Sequence, residues 1–379
     1  MSGDKIDDSL QSISIKPSKL VGSLKLPPSK SHAMRWLLLA SMDSNPTEIK
    51  MHEIGKDVQA MIDCLSDLGL IYQDKIMRGG ELKFNTDTLD CKNSGTALRF
   101  LIGQVATCDG EITFDGDSSL RVRTSLPLLE SLKINYSRLG DDFLPMKVKG
   151  PVISEKITID TSISSQYLSS ILLMTPRTNG FELVSTGKSV SQKHSDLTWD
   201  LCKLTGAKEI GLPWVVNCPD VKIPPDPSMT AFCKLAGLDI ENPPKDEDLI
   251  GHDLNNLNLK DSNDLITPLA AILALSEGGT ISGAKHATFK ESNRITCTRK
   301  MLEQFSINCK ETEDGLHIPG GQTPITPKQI VKTYRDHRIQ MTAVILASIC
   351  GATIEGKNLH EIAWPSFIQQ LQNCGLIVD

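Results

Sequence analysis

The feature that most constrains the fold of this chain is the regular alternation of helix-like and strand-like segments along its 379 residues. The helix-like segments are apolar or amphipathic, and short runs such as EITF at 111–114 lie between Gly, Pro and Asp turns. This alternation predicts repeated α/β units, although the repeat is one of elements and not of residues. We predict helices over residues 32–42, 57–68, 95–107, 166–174, 195–204, 229–236, 265–275, 294–305 and 338–349.

The length of the chain predicts two domains, because 379 residues exceed what one hydrophobic core ordinarily organises. The run IPPDPS at 223–228 is a candidate crossing between them, since proline restricts the backbone and interrupts helices.

Composition and charge restrict the class of protein. The net charge of −6 gives no reason to expect a nucleic-acid partner. No stretch approaches the roughly 20 apolar residues of a membrane-spanning helix, and the polar N-terminus lacks the apolar region of a signal peptide. The ten Cys are scattered, without a CxxC pair or a Cys/His cluster at zinc spacing. We therefore predict a cytoplasmic protein with free thiols, no metal and no membrane association.

Six segments rich in hydroxyl, amide or cationic side chains lie at or just before predicted helix starts. Helix N-termini present free N–H groups and partial positive charge, so anions bind there. Each segment taken alone also has an ordinary interpretation, as a helix cap or a solvated charged turn. Their occurrence in both halves of the chain predicts a cleft that binds anionic ligands between two domains. The segments are LPPSKSHAMR (26–35), KNSGTALR (92–99), DGDSSLRVR (115–123), SISSQ (162–166), KESNR (290–294) and RDHR (335–338).

Several residues within these segments suggest specific chemistry. Lys30 adds a full charge at a helix start, and Arg35 follows Ser31 by four residues, on the same helical face. Gly95 permits close approach of a ligand to the backbone. Asp264, just before an apolar helix, is a candidate general base and equally a candidate N-cap.

Taken together and in this order, the segments resemble the EPSP synthase (3-phosphoshikimate 1-carboxyvinyltransferase) family, from about residue 25 to residue 367. The resemblance implies an α/β fold of two similar domains. Each domain consists of three βαβαββ-type repeats in an inside-out α/β barrel, and a hinge places the active site in the interdomain cleft. The chain is shorter than typical members, which implies trimmed loops. The implied division is a discontinuous domain of residues 1–26 and 227–379 and an inserted domain of residues 27–226.

The resemblance also implies an enzyme that transfers the enolpyruvyl group of phosphoenolpyruvate to the 5-hydroxyl of shikimate 3-phosphate and releases phosphate. It implies no cofactor, and a monomer. The implied catalytic residues are Asp264 as base, with Lys290 and Glu291 protonating the enol methylene carbon. The implied phosphoenolpyruvate ligands are Lys30, Gly95, Arg123, Gln166, Arg294 and Arg338. The implied shikimate-3-phosphate ligands are Ser31, Arg35, Ser164, Ser165, Ser191, His194, Asp264 and Lys290.

Four positions depart from the family pattern. His194 replaces an acceptor-contacting Tyr, His286 replaces an Asn, and Thr124 replaces a Pro. Ile362 stands where some members place a Lys against the phosphoenolpyruvate phosphate. The two histidines affect the acceptor side, and Ile362 removes a charge from the phosphoenolpyruvate side.

Three alternatives follow. The first is an enolpyruvyl transferase acting on another phosphorylated cyclitol, and the second is a non-catalytic ligand-binding relative. The third, the UDP-N-acetylglucosamine enolpyruvyl transferase of the same fold, usually carries a Cys in the loop corresponding to 115–123. No Cys occurs between Cys108 and Cys202, which argues against it. Sensitivity to glyphosate stays open.

Overall fold

The structure is a computed structural model that describes residues 11–245 and 256–379. The polar residues 1–10, considered above for a signal peptide, lie outside the described part. The chain forms two compact units. Unit 1 comprises residues up to Pro27 and from Pro225 onward, and unit 2 comprises Pro28–Pro224.

Helices and strands alternate in both units. The helices of unit 2 are α1 Lys30–Ala40, α2 Lys56–Asp67, α3 Gly95–Val105, α4 Ser118–Arg121, α5 Leu126–Leu132, α6 Ser165–Met174 and α7 Gln192–Leu204. Those of unit 1 are α8 Thr230–Ala236, α9 Ile266–Leu275, α10 Arg294–Gln304, α11 His337–Cys350 and α12 Phe367–Asn373.

The strands are short, from two to five residues. Those of unit 2 are β3 Thr47–Lys50, β4 Ile71–Gln73, β5 Ile76–Arg78, β6 Thr88–Asp90, β7 Glu111–Asp115, β8 Asn135–Arg138, β9 Met146–Lys149, β10 Lys156–Asp160, β11 Glu182–Thr186 and β12 Val221–Lys222. Those of unit 1 are β1 Ser12–Lys16, β2 Ser23–Leu24, β13 Asp239–Ile240, β14 Asn256–Asn258, β15 Gly278–Ser282, β16 Lys310–Glu311, β17 Leu316–Pro319, β18 Ala352–Glu355 and β19 Ile377–Val378.

The nine predicted helices are confirmed, with ends that differ by at most three residues. Helix α1 begins earlier than predicted because Ser29 caps it, accepting a hydrogen bond from the backbone N–H of His32. The prediction missed α4, α5 and α12. Each has at most seven residues, which is too short for a clear helical periodicity.

The repeating unit is a strand, a helix and a second strand parallel to the first. It appears without interruption in β6–α3–β7, β10–α6–β11 and β14–α9–β15. In three sheets one strand of the parallel pair also pairs antiparallel with a third strand, which pairs antiparallel with a fourth, giving the orders β12-β3-β5-β4, β6-β7-β9-β8 and β14-β15-β17-β16. These observations confirm the α/β fold expected from the resemblance. Two parallel pairs of the described residues, β10-β11 and β13-β2, lack such further strands, and each forms a reduced sheet of two strands.

Strand β1, near the start of the chain, lies between β18 and β19, near its end. Both pairings are antiparallel, and Ile15 of β1 is paired with Ala352 of β18 and Val378 of β19. Both ends of the described chain therefore belong to unit 1.

Each unit has its own hydrophobic core. Trp36, Phe100 and Phe114 lie in the core of unit 2, and Phe232 and Trp364 lie in that of unit 1. Helices α1, α3, α9 and α11 are buried along most of their length, which explains their long apolar runs. Their N-termini, where the polar segments lie, are thus fixed by buried packing. Among the described residues, no helix is long and apolar enough to span a membrane.

Candidate active site

The predicted site residues of unit 2 lie at the N-termini of four helices, α1, α3, α6 and α7, and in the turn after α4. Helix α1 presents Lys30, whose Nζ lies 2.8 Å from Oδ2 of Asp57 in the first turn of α2. The Asp57 side chain is almost completely buried, and a carboxylate is favoured at a helix N-terminus. This ion pair fixes where the ammonium group of Lys30 points.

Arg35 is buried beneath the start of α1. Its Nε donates to Thr198 Oγ1 at 2.7 Å, and its Nη atoms donate to the carbonyls of Ser31 and His194 and to Ser169 Oγ. All these acceptors are neutral, and Arg35 forms no ion pair with a described carboxylate. Burial lowers the pKa of Arg35 to about 10, so the side chain stays charged at neutral pH. A buried cation with neutral partners favours a nearby anion.

Gly95, the first residue of α3, lies against two guanidinium groups. A Cβ atom at this position would lie 3.1 Å from Nη1 of Arg99 and 3.3 Å from Nη1 of Arg123. Arg123 donates to the carbonyl of Asn93 at 2.6 Å, and Arg99 donates to Oε1 of Gln166. The structure therefore brings together the predicted residues Gly95, Arg123 and Gln166, and it adds Arg99.

The predicted phosphate-binding hydroxyls lie at two further helix starts. Ser164 caps α6 and Ser165 is its first residue. Ser191 precedes α7 with φ 50°, a left-handed conformation that is uncommon for a residue other than Gly. His194 follows in α7, and its carbonyl accepts from Arg35, which links this helix to α1. Left-handed residues of this kind are often found at functional sites.

In unit 1 the predicted residues form one ion-pair cluster around Arg294, at the start of α10. Its Nε lies 2.8 Å from Asp336 Oδ2, and its Nη1 lies 2.5 Å from Asp264 Oδ1. Its Nη2 donates to Glu291 Oε2. Burial acts to lower the pKa of Arg294, but the three carboxylates outweigh it and raise the pKa well above its ordinary value. Arg294 is therefore a permanently charged centre of the cluster.

Arg338, in the first turn of α11, contacts the same cluster from the other side of Asp264. Its Nη1 donates to the Asp264 carbonyl at 3.2 Å, and its Nη2 lies 3.3 Å from Asp264 Oδ2. The same Nη2 donates to Ser228 Oγ at 2.9 Å. Lys290 completes the group, with its Nζ 4.0 Å from Asp264 Oδ1. The carboxylate of Asp264 is thus surrounded by Arg294, Arg338 and Lys290.

The cluster is balanced in charge. Three cations, Lys290, Arg294 and Arg338, face three carboxylates, Asp264, Glu291 and Asp336. Such a group holds an acid and a base in fixed positions, because each charged atom has a partner of opposite sign. The sequence prediction omitted Asp336, which also caps α11 by accepting from the backbone N–H of Arg338 at 2.9 Å.

Two of the departures from the family pattern lie in unit 1. His286 is buried, and burial together with the charge of Lys290 lowers its pKa to about 4. The imidazole is therefore neutral at neutral pH. Ile362 ends a short 3₁₀ helix, Leu359–Ile362, and is buried.

The sequence profile of EPSP synthase (3-phosphoshikimate 1-carboxyvinyltransferase) matches residues 15–238 and 215–371. The chain belongs to the EPSP synthase family. The resemblance predicted from the sequence motifs is thereby confirmed.

Other members of this family match the chain over nearly its full length. The 3-phosphoshikimate 1-carboxyvinyltransferase of Korarchaeum cryptofilum is 28% identical, covering 97% of this chain and 99% of the relative. That of Caldicellulosiruptor bescii is 30% identical, covering 92% and 95%. The structure of EPSP synthase from Acinetobacter baumannii superposes with a TM-score of 0.76 at 20% identity, covering 97% of this chain and 99% of the other. This structural match supports the fold.

The alignment with the Korarchaeum protein spans 430 positions, more than the 379 residues of this chain. The relative therefore has segments that this EPSP synthase family member lacks. Within the described residues, the sheet of β10 and β11 lacks the two antiparallel strands that the sheets β6-β7-β9-β8 and β14-β15-β17-β16 contain.

Four residues that contact predicted site residues were not themselves predicted from the sequence as site residues. Arg99 lies in the segment KNSGTALR, where the sequence indicates no separate role for it, and no sequence pattern reveals Asp57 and Asp336 as partners of cations. Ser228 lies in the predicted domain crossing. The signals for Arg99 and Asp336 were present, since both lie in segments that precede or open helices. Among residues 11–245 and 256–379, no group of three or more His, Cys, Asp or Glu side chains is arranged to hold a metal ion.

Proposed function

We propose that this protein transfers the enolpyruvyl group of phosphoenolpyruvate to the 5-hydroxyl of shikimate 3-phosphate and releases phosphate, as a step of the shikimate pathway. The observation that carries the proposal is the position of Asp264, a candidate base surrounded by Arg294, Arg338 and Lys290, in a chain that matches the family from residue 15 to residue 371. Both substrates carry a phosphate and a carboxylate, so cations must offset their mutual repulsion.

The cations of unit 2 suit the binding of these anions. Arg35 and Arg123 donate to neutral oxygen atoms, so their positive charge is not offset by a described carboxylate. We assign Lys30, Gly95, Arg123 and Gln166 to phosphoenolpyruvate. Ser31 and Arg35 would hold the carboxylate side of the acceptor. The hydroxyls of Ser164, Ser165 and Ser191, with His194, would hold its phosphate side.

The residues of unit 1 would carry out the proton transfers. Asp264 would take the proton of the 5-hydroxyl while its oxygen bonds to C2 of phosphoenolpyruvate. Lys290, with Glu291, would deliver a proton to C3, which yields a tetrahedral ketal. Removal of a C3 proton and cleavage of the bond from C2 to the phosphate oxygen then give the enol ether and phosphate. Arg294 and Arg338 would offset charge on phosphoenolpyruvate and on the departing phosphate.

The position of Lys290 supports its role as the acid. Its Nζ lies 4.0 Å from Asp264, and Glu291 is the next residue in the chain. A general acid and a general base that lie side by side can act on adjacent atoms of one reacting pair. We further propose that the protein is cytoplasmic. We also propose that it is a monomer, and light scattering of the purified chain would test its mass in solution.

The experiment is a phosphate-release assay with the purified full chain. Phosphoenolpyruvate is supplied with shikimate 3-phosphate, with shikimate, or with other phosphorylated cyclitols. We expect phosphate release with shikimate 3-phosphate and little with shikimate. Release with another cyclitol phosphate alone would overturn the acceptor and retain the reaction class. Binding of phosphoenolpyruvate without release for any acceptor would favour the non-catalytic alternative.

Two substitutions test the assigned proton transfers. Asp264→Asn removes the base and Lys290→Met removes the acid, and both nearly preserve side-chain volume. We expect each to lower kcat about 100-fold or more, the range typical of general acid–base catalysis. Lys285→Met is a matched control, since Lys285 lies nearby in the chain and pairs with exposed Glu313. A rate near that of the unsubstituted protein for either variant would contradict its assigned role.

A further inference from the structure

In the described part of the chain, the Arg338 guanidinium contacts two residues, Asp264 and Ser228. The Ser228 Oγ accepts from Arg338 Nη2 at 2.9 Å. The Arg338 side chain is about 2% exposed, so partners within the protein determine its orientation. A buried guanidinium is strongly favoured to keep such hydrogen bonds, because water cannot replace them.

The hydroxyl of Ser228 is itself held in one orientation. Its O–H donates to Asp226 Oδ1 at 2.7 Å, and its backbone N–H donates to the same oxygen at 3.0 Å. Because the hydroxyl proton points toward Asp226, the oxygen lone pairs are directed to Arg338. The three residues form a relay in which Asp226 orients Ser228 and Ser228 orients Arg338.

The position of Asp226, where this relay begins, is restrained by the backbone. Asp226 lies between Pro225 and Pro227, whose rings fix φ. The backbone N–H of Asp226 donates to the carbonyl of Pro27 at 2.9 Å, which joins the two segments of unit 1 that are distant in sequence. The relay thus begins from a constrained turn.

The relay matters because the proposed proton transfer changes the charge of Asp264, the other partner of Arg338. The other anchor of Arg338 is Asp264, whose carboxylate becomes neutral when it takes the proton of the acceptor hydroxyl. At that moment the ion pair between Arg338 and Asp264 weakens. The contact between Arg338 and Ser228 involves a neutral hydroxyl and does not depend on the protonation of Asp264.

We propose that Ser228, oriented by Asp226, is a positioning residue that keeps Arg338 directed at phosphoenolpyruvate throughout the reaction. This inference rests on the proposed function for its substrate. Ser228 does not itself touch the reacting atoms in this scheme. It acts through Arg338, so its loss affects phosphoenolpyruvate selectively.

The test compares Ser228→Ala with Ser228→Thr, which retains the hydroxyl. Ser228→Ala should raise KM for phosphoenolpyruvate about tenfold, as expected for a hydrogen bond to a charged group, and change KM for shikimate 3-phosphate less than twofold. Ser228→Thr should restore most of the loss. Ser276→Ala is the matched control, because the Ser276 hydroxyl donates to carbonyls of its own helix end. It should leave both KM values unchanged.

Two measurements separate this inference from a structural role and from the proposed function. Thermal melting of Ser228→Ala and Ser276→Ala measures any general loss of stability, and the kinetics are compared well below both melting temperatures, so that a KM change specific to phosphoenolpyruvate is not due to unfolding. Calorimetric titration with phosphoenolpyruvate measures binding without turnover, so it tests the relay even if shikimate 3-phosphate is not the acceptor. Unchanged KM and affinity in Ser228→Ala, equal losses for both substrates, or no recovery in Ser228→Thr would each overturn the inference. If the unsubstituted protein still forms product from both substrates, the proposed function stands even where the Ser228 variants overturn this inference.

Discussion

Arg294 Nε lies 2.8 Å from Asp336 Oδ2, and at most 1% of either side chain is exposed. This buried ion pair is the centre of the unit 1 cluster, because Arg294 also contacts Asp264 and Glu291. The pair joins the start of α10 to the cap of α11, two helices whose first turns both carry proposed site residues. Its integrity therefore affects both stability and catalysis.

Replacing Asp336 by Asn should destabilise the protein by about 3 kcal/mol, because it leaves a buried guanidinium with less compensating charge. Urea unfolding measures the change. The control is Asp115→Asn, whose partner Arg121 is partly exposed, and we expect a much smaller loss there. Equal losses for the two variants would show that the buried Arg294–Asp336 pair stabilises the protein no more than the partly exposed Arg121–Asp115 pair.

Gly95→Ala should selectively impair phosphoenolpyruvate binding. The added Cβ would lie 3.1 Å and 3.3 Å from the guanidinium nitrogens of Arg99 and Arg123, so these groups must move. We expect KM for phosphoenolpyruvate to rise about tenfold, the effect of losing one hydrogen bond to a charged group, with the acceptor KM little changed. Gly140→Ala, where nothing lies within 4 Å of the new atom, is the control. An unaltered phosphoenolpyruvate KM would remove Gly95 from the assigned ligands.

Asp57→Asn tests whether the Lys30 ammonium must be held in place. The substitution keeps the shape of the side chain and removes the charge that fixes Lys30 Nζ at 2.8 Å. Steady-state kinetics should show a rise of about fivefold to tenfold in KM for phosphoenolpyruvate. Asp63→Asn, on the exposed face of the same helix, should have no effect. If both variants behave alike, Lys30 does not depend on Asp57.

His286 should make the stability of the protein depend on pH. Burial and Lys290 lower its pKa from 6.5 to about 4, so between these values the unfolded chain binds a proton that the folded chain does not. The free energy of unfolding should consequently decrease as pH falls from about 6.5 to about 4. Urea unfolding at several pH values should show a smaller decrease in His286→Asn. The same decrease in both proteins would contradict a buried neutral His286.

Much of the fold could be predicted from the sequence. Helices α3 and α9 combine largely apolar sequences of 11 and 10 residues with a polar start, and such patterns are reliable. Short elements such as α12 were missed, since seven residues give little periodicity. The reduced sheet of β10 and β11 could not be located either, because the loss of paired strands depends on which segments meet in space.

The site was predicted in its composition and less well in its contacts. The polar helix starts identified Lys30, Gly95 and Arg294, since anion binding at such positions has a local physical cause. The neutral surroundings of Arg35 come from Thr198 and Ser169, which are distant in sequence. No local pattern reveals such tertiary partners. The contact of Ser228 with Arg338 across 110 residues is a further example.

The most direct test of the central claim is the identity of the product. The purified chain is incubated with phosphoenolpyruvate and shikimate 3-phosphate, and the product and phosphate are followed by nuclear magnetic resonance. The account predicts one phosphate released for each new enol ether, with the enolpyruvyl group on the 5-oxygen, and product formation at least about 100-fold slower with Asp264→Asn. Absence of the ether, or its attachment to another hydroxyl, would contradict the account.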